Sequence, residues 1–239
     1  MAFYSKIVEA YDAIFPLNQK QLEFVQEACD GSLTSKNILD IGCGTGSLSI
    51  AMARQSAKVR AFDYDPEMVA KANEKRPQAL DLQFQQGDMR LVTDYYQPML
   101  FDAALCFGNT LVHLDSTDEV GEMVKSVADR LKPGGKFLLQ IVNYDRVLND
   151  QVKSLPTIET EDYTFVRNYI HRPDGKIDFN TILKTETDDA ESTHPLLAIT
   201  QKQLESLLNP YFTQLKFYGA FNRQSWEADT FHCVVEAVK

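Results

Sequence analysis

The sequence has no long hydrophobic run and no leader-like start. No uninterrupted apolar stretch in its 239 residues approaches the roughly 20 residues that a membrane-spanning helix needs. The opening MAFYSKIVEAYDAIFP lacks the charged-then-apolar order of a secretory signal. We therefore expect a soluble, cytoplasmic protein with no membrane partner.

Cysteine and basic residues are also scarce. The four cysteines lie far apart and form no CxxC pair or Cys/His spacing, so neither a disulfide framework nor a metal site is expected. Acidic residues outnumber basic ones by 34 to 24, for a formal net charge of -10. A protein with this net negative charge repels the phosphate backbones of nucleic acids, so nucleic acid is not an expected partner. The sequence predicts no particular oligomeric state.

Apolar runs alternate with helical patterns after an N-terminal helical stretch interrupted at Pro16. This alternation favours a parallel sheet covered by helices on both faces. With two β-type runs near the C-terminus, we predict a doubly wound, Rossmann-like α/β fold with a mostly parallel seven-stranded sheet. The predicted strands cover residues 36–41, 58–63, 82–88, 101–107 and 136–143, and lie within 212–221 and 230–238.

The pattern changes after the fifth strand. Two β-rich segments flank Pro173-Asp174-Gly175, a turn sequence typical of a hairpin. We predict that residues 144–195 form an inserted antiparallel β subdomain, a lid that selects the substrate. The main domain then comprises residues 1–143 and 196–239.

A glycine-rich turn, GCGTG at 42–46, lies between the first strand and the next helix. By itself this is a weak signal, because many ligands use glycines for close backbone approach. The dinucleotide fingerprint needs its third glycine where Ser47 stands, and a P-loop needs a Gly-Lys-Ser/Thr that is missing. A nucleoside triphosphate is therefore not the expected ligand.

Acidic residues at the strand ends narrow the choice. The first three strands end close to Asp40, Asp63 and Asp88, and ligands of parallel sheets bind at this edge. Asp40 would repel a pyrophosphate, whereas Asp63 lies at the spacing where an acidic residue binds ribose hydroxyls. A cationic ligand that carries a nucleoside fits this edge, and S-adenosylmethionine is such a ligand.

The motifs ILDIGCGTGSLS, VRAFDYDPEMV, FQQGDM, FDAALCFGNTLVHL and LKPGGKFLLQI follow one another over roughly residues 35–143. In this order and spacing the chain resembles the class I S-adenosylmethionine-dependent methyltransferases. GNTLVHL and VNYDRVL resemble, less closely, the small-molecule, glycine N-methyltransferase-like branch. The resemblance implies transfer of a methyl group to a small-molecule acceptor, at nitrogen or oxygen, with release of S-adenosylhomocysteine.

The resemblance also implies roles for matching positions. The glycines would shape the turn around the methionine part, Asp63 would bind the ribose, and Tyr64 and Met68 would pack on the adenine. Asp88 would accept from the adenine amino group beside the Met89 backbone. The Cys106 backbone would face the methionine amine and Tyr11 would be a lid contact. The implied cofactor-binding set is Tyr11, Asp40, Gly42, Cys43, Gly44, Gly46, Asp63, Tyr64, Met68, Asp88, Met89 and Cys106.

The acceptor side is less defined. His113, just past the fourth strand, is the histidine placed to remove a proton from an amine acceptor. Asn109 and Tyr144 are candidates to orient the acceptor, and we take Tyr144 with His113 as the candidate catalytic residues. Arg167 and Arg223 are candidates to bind a substrate carboxylate.

Other functions stay open at this point. A nucleic-acid base methyltransferase would need an Asn/Asp-Pro-Pro-aromatic signature, where this chain has CFGN. A protein-arginine enzyme would need an acidic loop after the fourth strand, and a metal-dependent catechol-type enzyme has no support in the sequence. A cofactor-binding or assembly protein without turnover would keep the same motifs, because fold alone does not establish function.

Overall fold

The computed structural model describes residues 2–96 and 100–239, with side chains from residue 7 onward. Two helices come first, separated at Pro16, and the second is capped by Asn18, whose Oδ1 accepts from Lys20 N at 3.0 Å. Strands and helices then alternate as the sequence predicts. The elements of this half are α1 (Ala2–Ile14), α2 (Gln19–Ala28), β1 (Asn37–Ile41), α3 (Ser47–Arg54), β2 (Lys58–Asp63), α4 (Pro66–Lys75), β3 (Leu82–Gln86), β4 (Phe101–Cys106), α5 (Thr117–Arg130) and β5 (Leu131–Val142).

The second half begins with a short helix and four consecutive strands. Its last helix starts with a capping box, in which Thr200 and Gln203 satisfy each other's backbone N–H groups. The elements are α6 (Tyr144–Asn149), β6 (Ser154–Glu159), β7 (Thr164–His171), β8 (Lys176–Lys184), β9 (Asp189–Leu197), α7 (Gln201–Leu208), β10 (Gln214–Tyr218) and β11 (His232–Val238). Two 3-10 helices, Met89–Asp94 and Leu111–His113, follow β3 and β4.

The main sheet has seven strands in the order β3-β2-β1-β4-β5-β11-β10. Strands β1 to β5 are parallel, and β11 is antiparallel to both of its neighbours. The predicted Rossmann-like α/β architecture is therefore confirmed. In-register pairing, such as Asp40 with Ala61 and Asp63 with Gln86, brings the carboxyl ends of the parallel strands to one edge.

A separate antiparallel sheet has the order β6-β7-β8-β9. Its β7–β8 hairpin turns at the predicted Pro173-Asp174-Gly175, where Gly175 has φ +81° and Asp174 Oδ1 accepts from Lys176 N at 3.1 Å. The sheet spans residues 154–197, within and just beyond the segment predicted as an insertion. We keep the division into a main domain and a lid subdomain as a proposal.

Buried apolar residues form clusters on both faces of the main sheet. A smaller cluster joins the antiparallel sheet to α1, through Phe165 and Leu183 against Ala10 and Ile14. Helix α1 therefore packs against the antiparallel sheet on one side and against the glycine turn on the other. In the described part of the chain, no helix has the length and apolar character to cross a bilayer.

One boundary differs from the prediction. Strand β5 begins at Leu131 and not at Lys136, because Leu131 already pairs with Phe101. The register then shifts before Ala103 pairs with Lys136. The intervening Lys-Pro-Gly-Gly therefore forms an irregularity within the strand.

Candidate functional site

The glycine turn joins β1 to α3 and is fixed to the neighbouring strand. The backbone N–H groups of Gly42 and Cys43 both donate to Phe62 O, at 2.9 and 3.1 Å. Gly46, with φ +78°, is the N-cap of α3, and a Cβ there would lie 2.4 Å from Phe84 Cζ. The turn therefore needs glycine at this position for both its backbone conformation and its packing.

Asp63, at the end of β2, holds this turn. Its Oδ2 accepts from Gly44 N at 2.8 Å, and its Oδ1 accepts from Asp65 N at 3.0 Å. Burial raises the pKa of this carboxyl above its ordinary value, although hydrogen bonds from the Asp65 and Gly44 backbones oppose the shift. Asp63, which the resemblance predicts to bind the ribose, thus lies directly beside the glycine turn.

Asp40 is expected at the ligand-binding edge of the sheet, but in the structure it lies deeper in the protein. The residue is 4% exposed, and its Oδ2 accepts from Ser49 Oγ at 2.5 Å on α3. Burial raises its pKa to about 6; the Ser49 hydrogen bond opposes this shift, and the charge of Asp63 adds to it. Asp40 and Asp63 therefore place two interacting acidic groups around the turn, which favours a cationic ligand.

An open depression lies beyond β3, beside the end of β2. Its volume is about 240 Å³, and Tyr64, whose side chain is 70% exposed, forms one wall. A planar base could lie against such an accessible ring. The lining residues are Tyr64, Gln86, Gly87, Asp88 and Tyr95.

Asp88, the predicted adenine ligand, is paired with an arginine. Arg90 Nη2 donates to Asp88 Oδ2 at 2.6 Å, and Arg90 Nε lies 3.0 Å from both carboxylate oxygens. These hydrogen bonds hold the pKa of Asp88 below its ordinary value. Sequence reasoning missed Arg90, although it stands two residues after the predicted ligand.

The remaining predicted cofactor residues lie in or next to these elements. Met68 is buried in the first turn of α4, and Met89 begins the 3-10 helix after β3. Cys43 lies within the glycine turn, while Cys106 ends β4 and has no exposed surface. Burial raises the pKa of both thiols, so they stay protonated at neutral pH.

The N-terminal helix covers the glycine turn. A Cβ built on Gly44 would lie 3.2 Å from the Tyr11 ring and hydroxyl. Burial, together with the charges of Asp63 and other acidic neighbours, raises the pKa of the Tyr11 phenol. Tyr11 therefore lies where a lid contact was predicted.

Asp12 anchors this helix, and no sequence motif pointed to it. Its Oδ1 accepts from Thr45 Oγ1 at 2.6 Å and from Ser47 Oγ at 2.9 Å. Lys75, in the last turn of α4, donates to Asp12 Oδ2 at 2.5 Å. The network connects α1, the glycine turn and α4.

His113 lies on the short helix after β4, which packs against β9 of the antiparallel sheet. Its side chain is accessible, yet the chain packed around it lowers the imidazole pKa, as does nearby His194 to a smaller extent. The imidazole is therefore neutral at pH 7 and able to accept a proton.

Asn109 and Tyr144 are hydrogen-bonded partners. Asn109, at φ +66°, accepts from Val142 N at 2.9 Å and donates from Nδ2 to the Tyr144 hydroxyl at 3.2 Å. Tyr144 is fully buried at the start of α6, and burial raises its pKa. Tyr144 thus holds the Asn109 side chain in place, and its catalytic role stays a prediction.

The two predicted substrate arginines differ sharply. Arg223 donates to Glu27 and Glu236, both at 2.7 Å, and its guanidinium lies 4.7 Å from the Phe24 ring centre. Its charge is already neutralised, so the expected role in binding a substrate carboxylate does not fit. Arg167, in contrast, donates to the Pro156 carbonyl and forms no ion pair within the described residues.

A family model and several known proteins match parts or all of this chain. Residues 38–135 match the family model described as a methyltransferase domain. The chain is 31% identical over 138 residues to YqeM of Bacillus subtilis strain 168, named as a candidate methyltransferase, covering 57% of this chain and 55% of that protein. It is 30% identical over 128 residues to a ubiquinone biosynthesis O-methyltransferase of Coxiella burnetii, covering 53% and 51%. The chain thus spans about half the length of the curated relatives it matches.

Solved structures resemble the whole chain. An S-adenosylmethionine-dependent methyltransferase from Clostridium acetobutylicum superposes with a TM-score of 0.80 at 20% identity, covering 99% of this chain and 98% of the other. The amino pentose methyltransferase CalS10 of Micromonospora echinaspora, solved with S-adenosylmethionine bound, gives a TM-score of 0.69 at 16% identity, covering 98% of this chain and 97% of the other. The chain therefore has the fold of these S-adenosylmethionine-dependent methyltransferases, and its residues 38–135 match the methyltransferase-domain model.

Proposed function

We propose that this protein transfers a methyl group from S-adenosylmethionine to a nitrogen or oxygen of a small-molecule acceptor. The observation that supports the proposal best is the hydrogen bond from Gly44 N to Asp63 Oδ2, because a carboxylate next to the glycine turn suits a ribose that binds there. The names of the relatives, a ubiquinone biosynthesis enzyme and an amino pentose enzyme, support a small acceptor.

The residues around the turn fit the cofactor. S-adenosylmethionine, when bound, supplies a methyl group on a positively charged sulfur. Asp40 and Asp63 would favour that charge, while Asp63 would hold the ribose and the depression beside Tyr64 and Asp88 would take the adenine. Tyr11 and the anchored helix α1 would shield the turn from water.

The chain's own contribution would be alignment and exclusion of water, since a direct displacement needs little else. Neutral His113 would accept the proton of an amine or hydroxyl acceptor. Asn109, fixed by Val142 N and bonded to Tyr144, would position the acceptor at the ends of β4 and β5.

Two measurements together test the proposal. Calorimetry with S-adenosylmethionine and S-adenosylhomocysteine measures cofactor binding, and a screen of metabolite pools for release of S-adenosylhomocysteine measures turnover. We expect binding of both compounds and release with a small-molecule pool. Binding without release from any pool would support a cofactor-binding or assembly protein. Release only with RNA or protein acceptors would refute the small-molecule assignment.

A further inference from the structure

Several buried polar groups of the lid region have no hydrogen-bond partner. Among the residues that the structure describes, six buried side-chain atoms are unpartnered, and three of them are Arg146 Nε, Arg167 Nε and the Tyr169 hydroxyl. A buried donor without an acceptor is unfavourable, so such groups point to a ligand that completes them. Tyr169 itself is only 4% exposed.

Arg167 and Tyr169 share one face of β7, because alternate residues of a strand point the same way. On that face Tyr169 pairs in register with Phe179, and their ring centres are 5.6 Å apart. Arg167 Nη2 donates to the Pro156 carbonyl of β6 at 2.5 Å, which orients the guanidinium and leaves Nε free. The rigid sheet thus presents a cation and a hydroxyl together.

Arg146 adds a second positive charge from α6. Its guanidinium carbon lies 5.1 Å from the centre of the Phe231 ring, and it forms no ion pair within residues 2–96 and 100–239. Burial raises the pKa of Tyr169 to about 12, and Arg167 and Arg146 both act to lower it. Strand β7 itself places Arg167 beside Tyr169, and Arg146 adds only a positive field from α6.

This cluster adjoins the acceptor side of the sheet. The Tyr144 and Tyr169 hydroxyls face each other, but their approach falls short of a full hydrogen bond. Tyr144 in turn accepts from Asn109, just beyond the end of β4. Ligands of parallel sheets bind at this edge.

We propose that Arg167 and Tyr169 bind a carboxylate group of the methyl acceptor. The substrate class is then a small acid whose amine or hydroxyl is methylated. This inference rests on the proposed function, since it assigns the acceptor of the same site. A guanidinium and a phenol hydroxyl suit a carboxylate, because the free Nε–H of Arg167 and the Tyr169 hydroxyl can each donate to one of its two oxygens.

The test uses benzoate as the probe and benzamide as its neutral counterpart, titrated by calorimetry into the full chain with and without S-adenosylhomocysteine. We expect benzoate to bind and benzamide not to bind. Arg167→Gln and Tyr169→Phe should each weaken benzoate at least fivefold, and Arg167→Lys should restore only part of the loss. Arg172→Gln is the matched control, because Arg172 lies past the end of the same strand and is already paired with Asp174 and Asp178.

The outcomes separate the two proposals. Failure to bind S-adenosylhomocysteine with benzoate binding intact would count against the proposed function and not against this site. Equal benzoate affinity in wild type, Arg167→Gln and Tyr169→Phe would overturn the site. Tighter binding of inorganic phosphate than of benzoate would overturn the assignment to a carboxylate. Thermal unfolding of each variant shows whether it folds. If Arg167→Gln does not fold, the benzoate affinity of Tyr169→Phe decides the test.

Discussion

Lys75 Nζ lies 2.5 Å from Asp12 Oδ2, which joins the last turn of α4 to α1 across the glycine turn. Although partial burial acts to raise the pKa of Asp12, hydrogen bonds from Lys75, Thr45 and Ser47 outweigh it and lower the pKa. The carboxylate is thus ionised at neutral pH and holds the helix whose Tyr11 covers Gly44.

Asp12→Asn should loosen this cover. Because Asp12 is partly exposed, we expect a loss of about 1 kcal/mol, or roughly fivefold weaker binding of S-adenosylhomocysteine. Calorimetry provides the measurement. Glu9→Gln is the matched control, since Glu9 lies on the same helix, is exposed and approaches Lys71 only to 3.8 Å. Equal effects of the two changes would show that the Asp12 network has no special role.

Asp63→Ala should weaken S-adenosylmethionine binding more than tenfold, a loss of about 1.4 kcal/mol or more. The change removes the proposed ribose ligand and also the acceptor of Gly44 N. Asp65→Ala removes a neighbouring carboxylate that caps α4, so it should lower stability by about 1 kcal/mol and leave binding unchanged. Unchanged affinity in Asp63→Ala, measured by calorimetry, would falsify the ribose assignment.

Gly46→Ala tests the packing of the glycine turn. Both Gly46 and Gly134 have positive φ, at +78° and +74°, but only Gly46 has a neighbour, Phe84, where a Cβ would lie. Gly134→Ala should therefore cost about 1–2 kcal/mol from backbone strain alone. Gly46→Ala should cost about 1–3 kcal/mol more from overpacking. Urea unfolding of both variants gives the difference, and equal losses would contradict the packing argument.

Much of the fold follows from local signals in the sequence. Apolar runs place the parallel strands, and Asp65 followed by Pro66 marks the start of α4 as predicted. The Pro173-Asp174-Gly175 turn likewise lies between β7 and β8. These features depend on neighbours in the chain, which is why periodicity and turn chemistry reveal them.

The candidate site was less predictable because its contacts join distant residues. Lys75 meets Asp12 across 63 positions, and Arg223 meets Glu27 across 196. No spacing rule reports such pairs, so the sequence does not show that Arg223, expected to bind substrate, is a half-buried partner of two glutamates. The glycine turn and Asp63 could be found since their roles follow from one strand-turn-helix unit and its neighbour.

Arg223→Gln should therefore affect stability and not acceptor binding. Glu236 is buried at 5% exposure and keeps Lys136 at 3.0 Å, but it loses the shorter Arg223 contact. We expect a loss of about 2 kcal/mol in the free energy of unfolding. Chemical denaturation measures this, with KM for the acceptor as the second readout. A raised KM with unchanged stability would restore the substrate role.

Asp40 should make stability depend on pH in a specific direction. Its pKa in the folded chain is about 6, mainly because of burial, against an ordinary value of 3.8. Between these values the folded state binds more protons than the unfolded state, so stability falls as pH rises through this window. Across the whole window, the raised pKa of Asp40 lowers the free energy of unfolding by about 3 kcal/mol relative to its value at acid pH. Asp40→Asn should therefore gain stability relative to wild type between pH 4 and about 7, as measured by urea unfolding across that range. A constant difference between the two proteins would show that Asp40 does not titrate in this window.

A cationic ligand favours the ionised carboxylate, so the wild-type affinity for S-adenosylmethionine should rise over the same range more than that for neutral S-adenosylhomocysteine.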